Sequence, residues 1–274
     1  MGVSLAQPLV LRTFEELLTG TDTVEKLSAE ALKASPVTGF NPQMEAIAQV
    51  ISVSNKGSDV QLLGDVAAKS KVTPWVTFEA DRLDWFPDRE VIAANGPIKV
   101  EQYDGENYQA VTDRVVGATA EIQLADNLVT LDEAMQLDAL TQPLKVVSET
   151  AIWNVEAQTV VLDRPVNIEQ PVRKITASAN SADLDLAKQL VVLRGNVRAK
   201  GEENDARLAA DRVQWQTDSQ EVEAEGNVSY QQAADPEISM TGGQAFGNLE
   251  AGTLVVVGGD SGEVVTEFVP GEPL

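Results

Sequence analysis

The chain has 274 residues with no cysteine and no histidine, and 43 acidic against 20 basic residues give it a formal charge of −23. Thiol nucleophiles, imidazole bases, Cys/His zinc sites and disulfides are excluded, and the lack of a basic stripe argues against nucleic acid and against an anionic membrane surface. Hydrophobic residues make up 43% and aromatics only 5%, so a core can form and must be aliphatic.

From the start of the chain, Val3 to Leu11 matches Val160 to Ile168, with Pro8 answering Pro165. It reads as the second half of a hairpin unit whose first half is missing. The native chain is therefore expected to continue upstream, where any membrane anchor or signal would lie. Thr13-Phe14-Glu15-Glu16 is a capping box that predicts a short helix closing near Gly20. Leu27 to Ala34 suits either a strand start or a helix, and Pro36 with Gly39-Phe40-Asn41-Pro42 predicts a loop. Residues 1–45 thus read as a truncated first repeat plus a helix and loop insertion.

From residue 46 to 268 one two-strand phrase recurs. Ala80-Asp81-Arg82-Leu83-Asp84-Trp85 precedes Gly96 by the same interval that separates Ala210-Asp211-Arg212-Val213-Gln214-Trp215 from Gly226. The marker position is held by Gly64, Gly96, Glu133, Arg164, Gly195, Gly226 and Gly259, at spacings of 32, 37, 31, 31, 31 and 33 residues. Such a period decides architecture before any local reading does. Around each marker, apolar residues fall at alternate positions: Val60, Leu62, Val66 and Ala68, then Ile92, Ala94, Ile98 and Val100. Val129, Leu131, Met135 and Leu137 follow, then Val160, Leu162, Val166 and Ile168, and then Val191, Leu193, Val197 and Ala199. Val222, Ala224, Val228 and Tyr230 come next, with Val255 and Val257 in the final unit. Period two places each set on one face of its strand, while Lys99, Glu101, Glu221, Glu223 and Glu225 fall on the other. The marker glycine predicts a bulge or sharp bend in mid-strand.

The preceding strand of each unit ends at Trp85, Ile122, Trp153, Leu184 or Trp215. Turn-forming segments such as Ser54–Ser58, Pro87-Asp88, Ala125–Asn127 and Thr217–Ser219 separate it from the second. The fold class is all-β: an antiparallel stack of hairpins, about fourteen to sixteen strands, with a frayed tail at 269–274. A sheet with one apolar face must bury it, by facing two sheets or by curling. Its mid-sized inner residues are expected to leave a gap suited to acyl chains.

Asp81, Glu149 and Asp211 take one place in the repeat. Paired carboxylates could serve glycoside hydrolysis or calcium, but repetition favours a structural part such as pairing with Arg82 or Arg212. Asp183-Leu184-Asp185 lacks calcium-loop spacing, Thr241-Gly242-Gly243 and Gly258-Gly259 lack the residues of a phosphate loop, and Ser4 and Ser148 have no histidine to activate them. The chain reads as a non-enzyme with no metal or cofactor. Trp85, Trp153 and Trp215 read first as hairpin-end plugs and second as rings that touch an apolar ligand.

The recurring phrases Val191-Val192-Leu193-Arg194-Gly195-Asn196-Val197, Val222-Glu223-Ala224-Glu225-Gly226-Asn227-Val228 and Ala210-Asp211-Arg212-Val213 resemble those of the OstA-like lipopolysaccharide transport family: LptA, LptC and the N-terminal domain of LptD. The resemblance runs over residues 46–265. Among these the chain is most like a long LptC, with an LptA-like bridge protein as the alternative. The resemblance implies a twisted antiparallel β-jellyroll whose open groove holds the acyl chains of lipid A. It implies a periplasmic location and an inner-membrane anchor. It also implies lipopolysaccharide, other jellyroll proteins and an inner-membrane ABC transporter as partners, with edge-strand pairing and homo-oligomers possible in such a stack. The expected groove face is Ile92, Ile98, Val129, Leu131, Val160, Leu162, Val166, Ile168, Val191, Leu193, Val197, Val222 and Val228. The expected docking edges are Val3–Leu11 and Gly259–Phe268. A structural β-repeat scaffold or adhesin fragment that carries no lipid is the competing reading.

Overall fold

Strands form wherever aliphatic and polar residues alternate without interruption. The computed structural model describes residues 37–40, 44–54, 59–71, 73–141, 143–202, 205–233, 237–258 and 265–269. They lie in one compact unit, Pro36–Leu274. The first strands are β1 (Val37–Phe40), β2 (Met44–Ala48), β3 (Val50–Ser54), β4 (Asp59–Ser70), β5 (Val76–Phe86), β6 (Val91–Tyr103) and β7 (Val111–Gln123). Then come β8 (Leu128–Ala139), β9 (Leu144–Asn154), β10 (Thr159–Leu162), β11 (Val166–Gln170), β12 (Ile175–Ala179) and β13 (Ser181–Asp185). The last are β14 (Leu190–Gly201), β15 (Ala206–Gln216), β16 (Glu221–Gln232), β17 (Glu237–Asn248), β18 (Thr253–Val257) and β19 (Val265–Val269). A 3-10 turn, Pro87–Arg89, joins β5 to β6.

All strand pairs are antiparallel. Four rows are split: β2 and β3 both lie along β4, β10 and β11 along β9, β12 and β13 along β14, and β18 and β19 along β17. The nineteen strands therefore make fifteen rows, stacked in chain order, as the hairpin repeat requires.

Every unsplit row from β4 to β17 changes register at the same height. The shifts lie between Leu63 and Val66, Asn95 and Ile98, Asp132 and Met135, Arg194 and Val197, and Glu225 and Val228. The marker residues cause them. Gly226 (φ 74°) and Asn227 (φ 49°) are both left-handed, as are Gly64 and Asp65, and Gly195 and Asn196. Glycine adopts this backbone freely, and Asn and Asp do so at lower cost than other residues. Four residues on the marker strand span what three span on its neighbour, where Ala80-x-x-Leu83 keeps both apolar side chains inward.

The bend folds each row on itself. The halves carrying Trp85, Trp153 and Trp215 form one wall, and the halves beyond the bend form the other. Leu144 and Trp153 lie on one strand, nine residues apart, which is about 30 Å on a straight strand. Both nevertheless line a single cleft, which also brings Ala139 of one wall to Trp215 of the other. The inner faces of the two walls cover each other.

Three local expectations differ from the structure. Gly39 and Phe40 belong to β1, hydrogen-bonded to β2, so tertiary pairing overrides their loop chemistry. In the final unit the inward residue is Val256, while Val255 is 59% exposed. Leu254 to Val257 is an unbroken apolar run without a phase of its own, and its pairing with Phe246 sets which side faces in. Arg164 makes no bulge within a continuous strand: with Pro165 it divides β10 from β11. The 37-residue spacing reflects the longer loop between β6 and β7, where Tyr108 packs edge-on against Trp75 and Tyr103. The expected helix at Thr13–Gly20, the segment Leu27–Ala34, Ser4 and the repeat half at Val3–Leu11 lie outside the described residues.

Candidate functional site

The inner face is built by the two alternations that meet at each bend. Twelve of the thirteen expected groove residues are buried on it: Ile92, Ile98, Val129, Leu131, Val160, Leu162, Val166, Ile168, Val191, Leu193, Val197 and Val228. Val222 is half-buried and packs against the same cluster. The neighbouring strands add a second set, including Leu83, Val115, Ala120, Val146, Ala182 and Val213. These were harder to find, because the two-residue gap of the Ala-x-x-apolar phrase breaks period-two alternation.

The middle of the slot is filled. Val146, Leu162 and Ala182 are 0% exposed, so the open groove expected from mid-sized side chains is closed by those side chains themselves. Open volume occurs at the rim instead, as a cleft of about 370 Å³ lined by Ala139, Leu144, Trp153, Leu184, Leu186 and Trp215 among others. That falls within the range of small-molecule sites. Trp153 and Trp215 are each 6% exposed, and their indole nitrogens meet no acceptor, nor does Oε1 of Gln170 meet a donor on the same rim.

Asp113 also borders this cleft. Burial pushes its carboxyl above the ordinary range, against a hydrogen bond with Thr112. A carboxyl raised in the folded state contributes stability at low pH that is lost as pH rises through its folded value. Asp113→Asn is therefore expected to raise the urea midpoint at pH 7.5, with the difference from parent shrinking in acid. A constant difference across that range would contradict this.

The carboxylates of the repeat serve the bends. Nδ2 of Asn227 donates to Oδ2 of Asp211 at 2.7 Å, and Nε2 of Gln49 donates to Oδ2 of Asp65 at 2.6 Å in the equivalent place. Arg82 pairs with Asp84 and Arg212 with Glu225, each at 2.7–2.8 Å. The expected pairing of these arginines with Asp81 and Asp211 is thus replaced. Asp81 sits over Gly96, where an added Cβ would come within 2.6 Å of the aspartate's own Cβ. Glu149 is exposed on β9, while the neighbouring Thr150 Oγ1 donates to Asp163 at 2.8 Å. Asp183 pairs with Arg194, and Asp185 with Lys188.

A larger concavity of about 570 Å³ lies on the outer face, bordered by Lys145, Arg198, Lys200 and Arg207. Lys200 and Arg207 are held by Asp205 at 3.5 and 3.3 Å, and outward residues such as Asn167, Glu169, Thr176 and Gln231 alternate in its lining with Ile168, Ala199 and Leu208 of the repeat. The site of interest is therefore the slot and its rim.

Fold and slot together define an antiparallel hairpin-repeat protein that encloses an aliphatic interior between two walls. No protein-family model matches the chain, and no curated protein matches it in sequence. Among solved structures the chain is similar to LptH, the LptA homologous periplasmic component of the conserved lipopolysaccharide transport device from Pseudomonas aeruginosa. That likeness has 18% identity and a TM-score of 0.37, over 43% of this chain and 79% of that one.

Proposed function

We propose that this protein carries acyl chains between its two walls, as a periplasmic component of a lipopolysaccharide export bridge. One observation carries the reading: a predominantly aliphatic inner face, repeated row after row from Ile92 to Val228, that opens to a cleft along its rim. The walls meet across the slot through apolar side chains, while backbone hydrogen bonds run along each wall. Parting the walls exposes mainly apolar surface, and an acyl chain laid between them covers it again. The recurring phrases that resemble the OstA-like family supply the lipid class, and an LptC-like or LptA-like place in the bridge follows from the same resemblance. Lipid extraction and mass spectrometry of protein purified from its native cells tests this. Stoichiometric acylated glycolipid is expected, and lipid-free protein would contradict it.

The filled middle of the slot favours a second reading, a closed β-repeat scaffold. That reading predicts no lipid and a melting temperature that amphiphiles do not raise.

Bridging requires free edges. Among the described strands, β18 and β19 each pair on one side only, with β17. Exposed strand edges invite strand addition, and in this reading the edge docks the next jellyroll or the partner at the inner-membrane transporter. Val255 on β18 and its neighbour Phe246 on β17 are 59% and 43% exposed. A lysine at an edge opposes pairing, so Val255→Lys is expected to abolish concentration-dependent self-association in sedimentation while leaving the circular dichroism spectrum unchanged. Association equal to the parent's would remove β18 from the docking surface.

A further inference from the structure

The aliphatic interior holds polar atoms that it does not serve. Nε1 of Trp85, Trp153 and Trp215 is shielded from solvent and meets no acceptor. An indole N–H is a donor only, and leaving it buried without an acceptor is unfavourable. The three tryptophans occupy one place in the repeat. Each is four rows from the next, so the donors recur about every 19 Å along the wall. The rows between them place Ile122 and Leu184 there. An aliphatic side chain therefore suffices for packing at this position, and packing alone does not call for the N–H.

Two of these tryptophans line the same opening. Trp153 and Trp215 are both more than nine-tenths buried, and both line the rim cleft. A hydrocarbon tail offers them nothing. The polar end of an acyl chain offers a carbonyl oxygen, at the depth where an apolar slot gives way to water. Gln170, on the same rim, has an unpartnered Oε1 that can accept from a hydroxyl or amide N–H of the same molecule.

We infer that Trp153 and Trp215 donate their indole N–H groups to ester or amide carbonyls of bound acyl chains, so that the rim selects acylated amphiphiles over alkyl ethers. The inference rests on the acyl-carriage reading and adds to it the polar recognition at the rim. Parting of the walls gives the carbonyl access to the indole and satisfies a donor that the closed slot leaves unpaired.

The test compares two probes by calorimetry on the whole chain: a 1-acyl lysophospholipid and its 1-alkyl ether analogue of equal chain length. The parent is expected to prefer the acyl probe about tenfold, as one or two net hydrogen bonds would give. The Trp153→Phe/Trp215→Phe protein should bind both probes equally, near the parent's affinity for the ether. If the parent binds both probes equally, the donor inference fails while acyl carriage stands; a preference that survives in the double variant has the same consequence. If the parent binds neither, the carriage reading itself fails, and the inference with it. The parent also gives a readout that does not depend on the variant folding. Indole 15N–1H resonances of Trp153 and Trp215 should move downfield with the acyl probe but not with the ether, and equal shifts with both would overturn the inference.

Discussion

Gly226→Glu is expected to lower the unfolding free energy by roughly 2–4 kcal/mol, from left-handed strain and a steric clash together. A Cβ at this position would sit 2.5 Å from Oδ2 and 2.9 Å from Cβ of Asp211. The molecule itself indicates the remedy. In the third unit the marker is Glu133, with φ 63°, and the residue at the place of Asp211 is Ala118. Large marker and small neighbour stand there in exchange for small marker and large neighbour. Adding Asp211→Ala to Gly226→Glu should therefore recover more than half of the loss, a coupling readable by urea denaturation of the four proteins of the cycle. Strict additivity would show that the two positions do not share one space.

Leu162→Ala should be costly in a different way. Leu162 is fully enclosed between the walls, and such truncations lower stability by about 2–5 kcal/mol because the cavity collapses only in part. The functional reading adds a consequence. If the slot holds acyl chains, saturating lipid fills the void, and the gap in melting temperature between parent and variant should narrow. A gap of unchanged size with lipid present would favour the closed scaffold.

The inner face was legible because its chemistry is local and repeated. Leu162 and Leu193 fall in phase with their marker positions, and the burial of both follows from period two alone. The bend was legible too, since a glycine recurring in mid-strand marks a bulge or sharp bend. The two-wall arrangement was not, because it depends on the angle at each bend, which alternation does not encode. For the same reason the rim cleft, which joins Asp113 and Leu144 to Trp153 and Trp215, could not be read before the walls were in place. Val255 was misplaced because four apolar residues in succession carry no phase. Gly39 and Phe40 look like a loop until β2 provides their hydrogen bonds.

Whether fatty chains enter between the walls is decided most directly by uniform photo-leucine labelling, which preserves side-chain volume and reports contact residue by residue. After irradiation with an acylated glycolipid, adducts are expected on the inward Leu131, Leu162 and Leu193, with few on the exposed Leu124 and Leu140. Adducts confined to Leu124 and Leu140 would contradict the account.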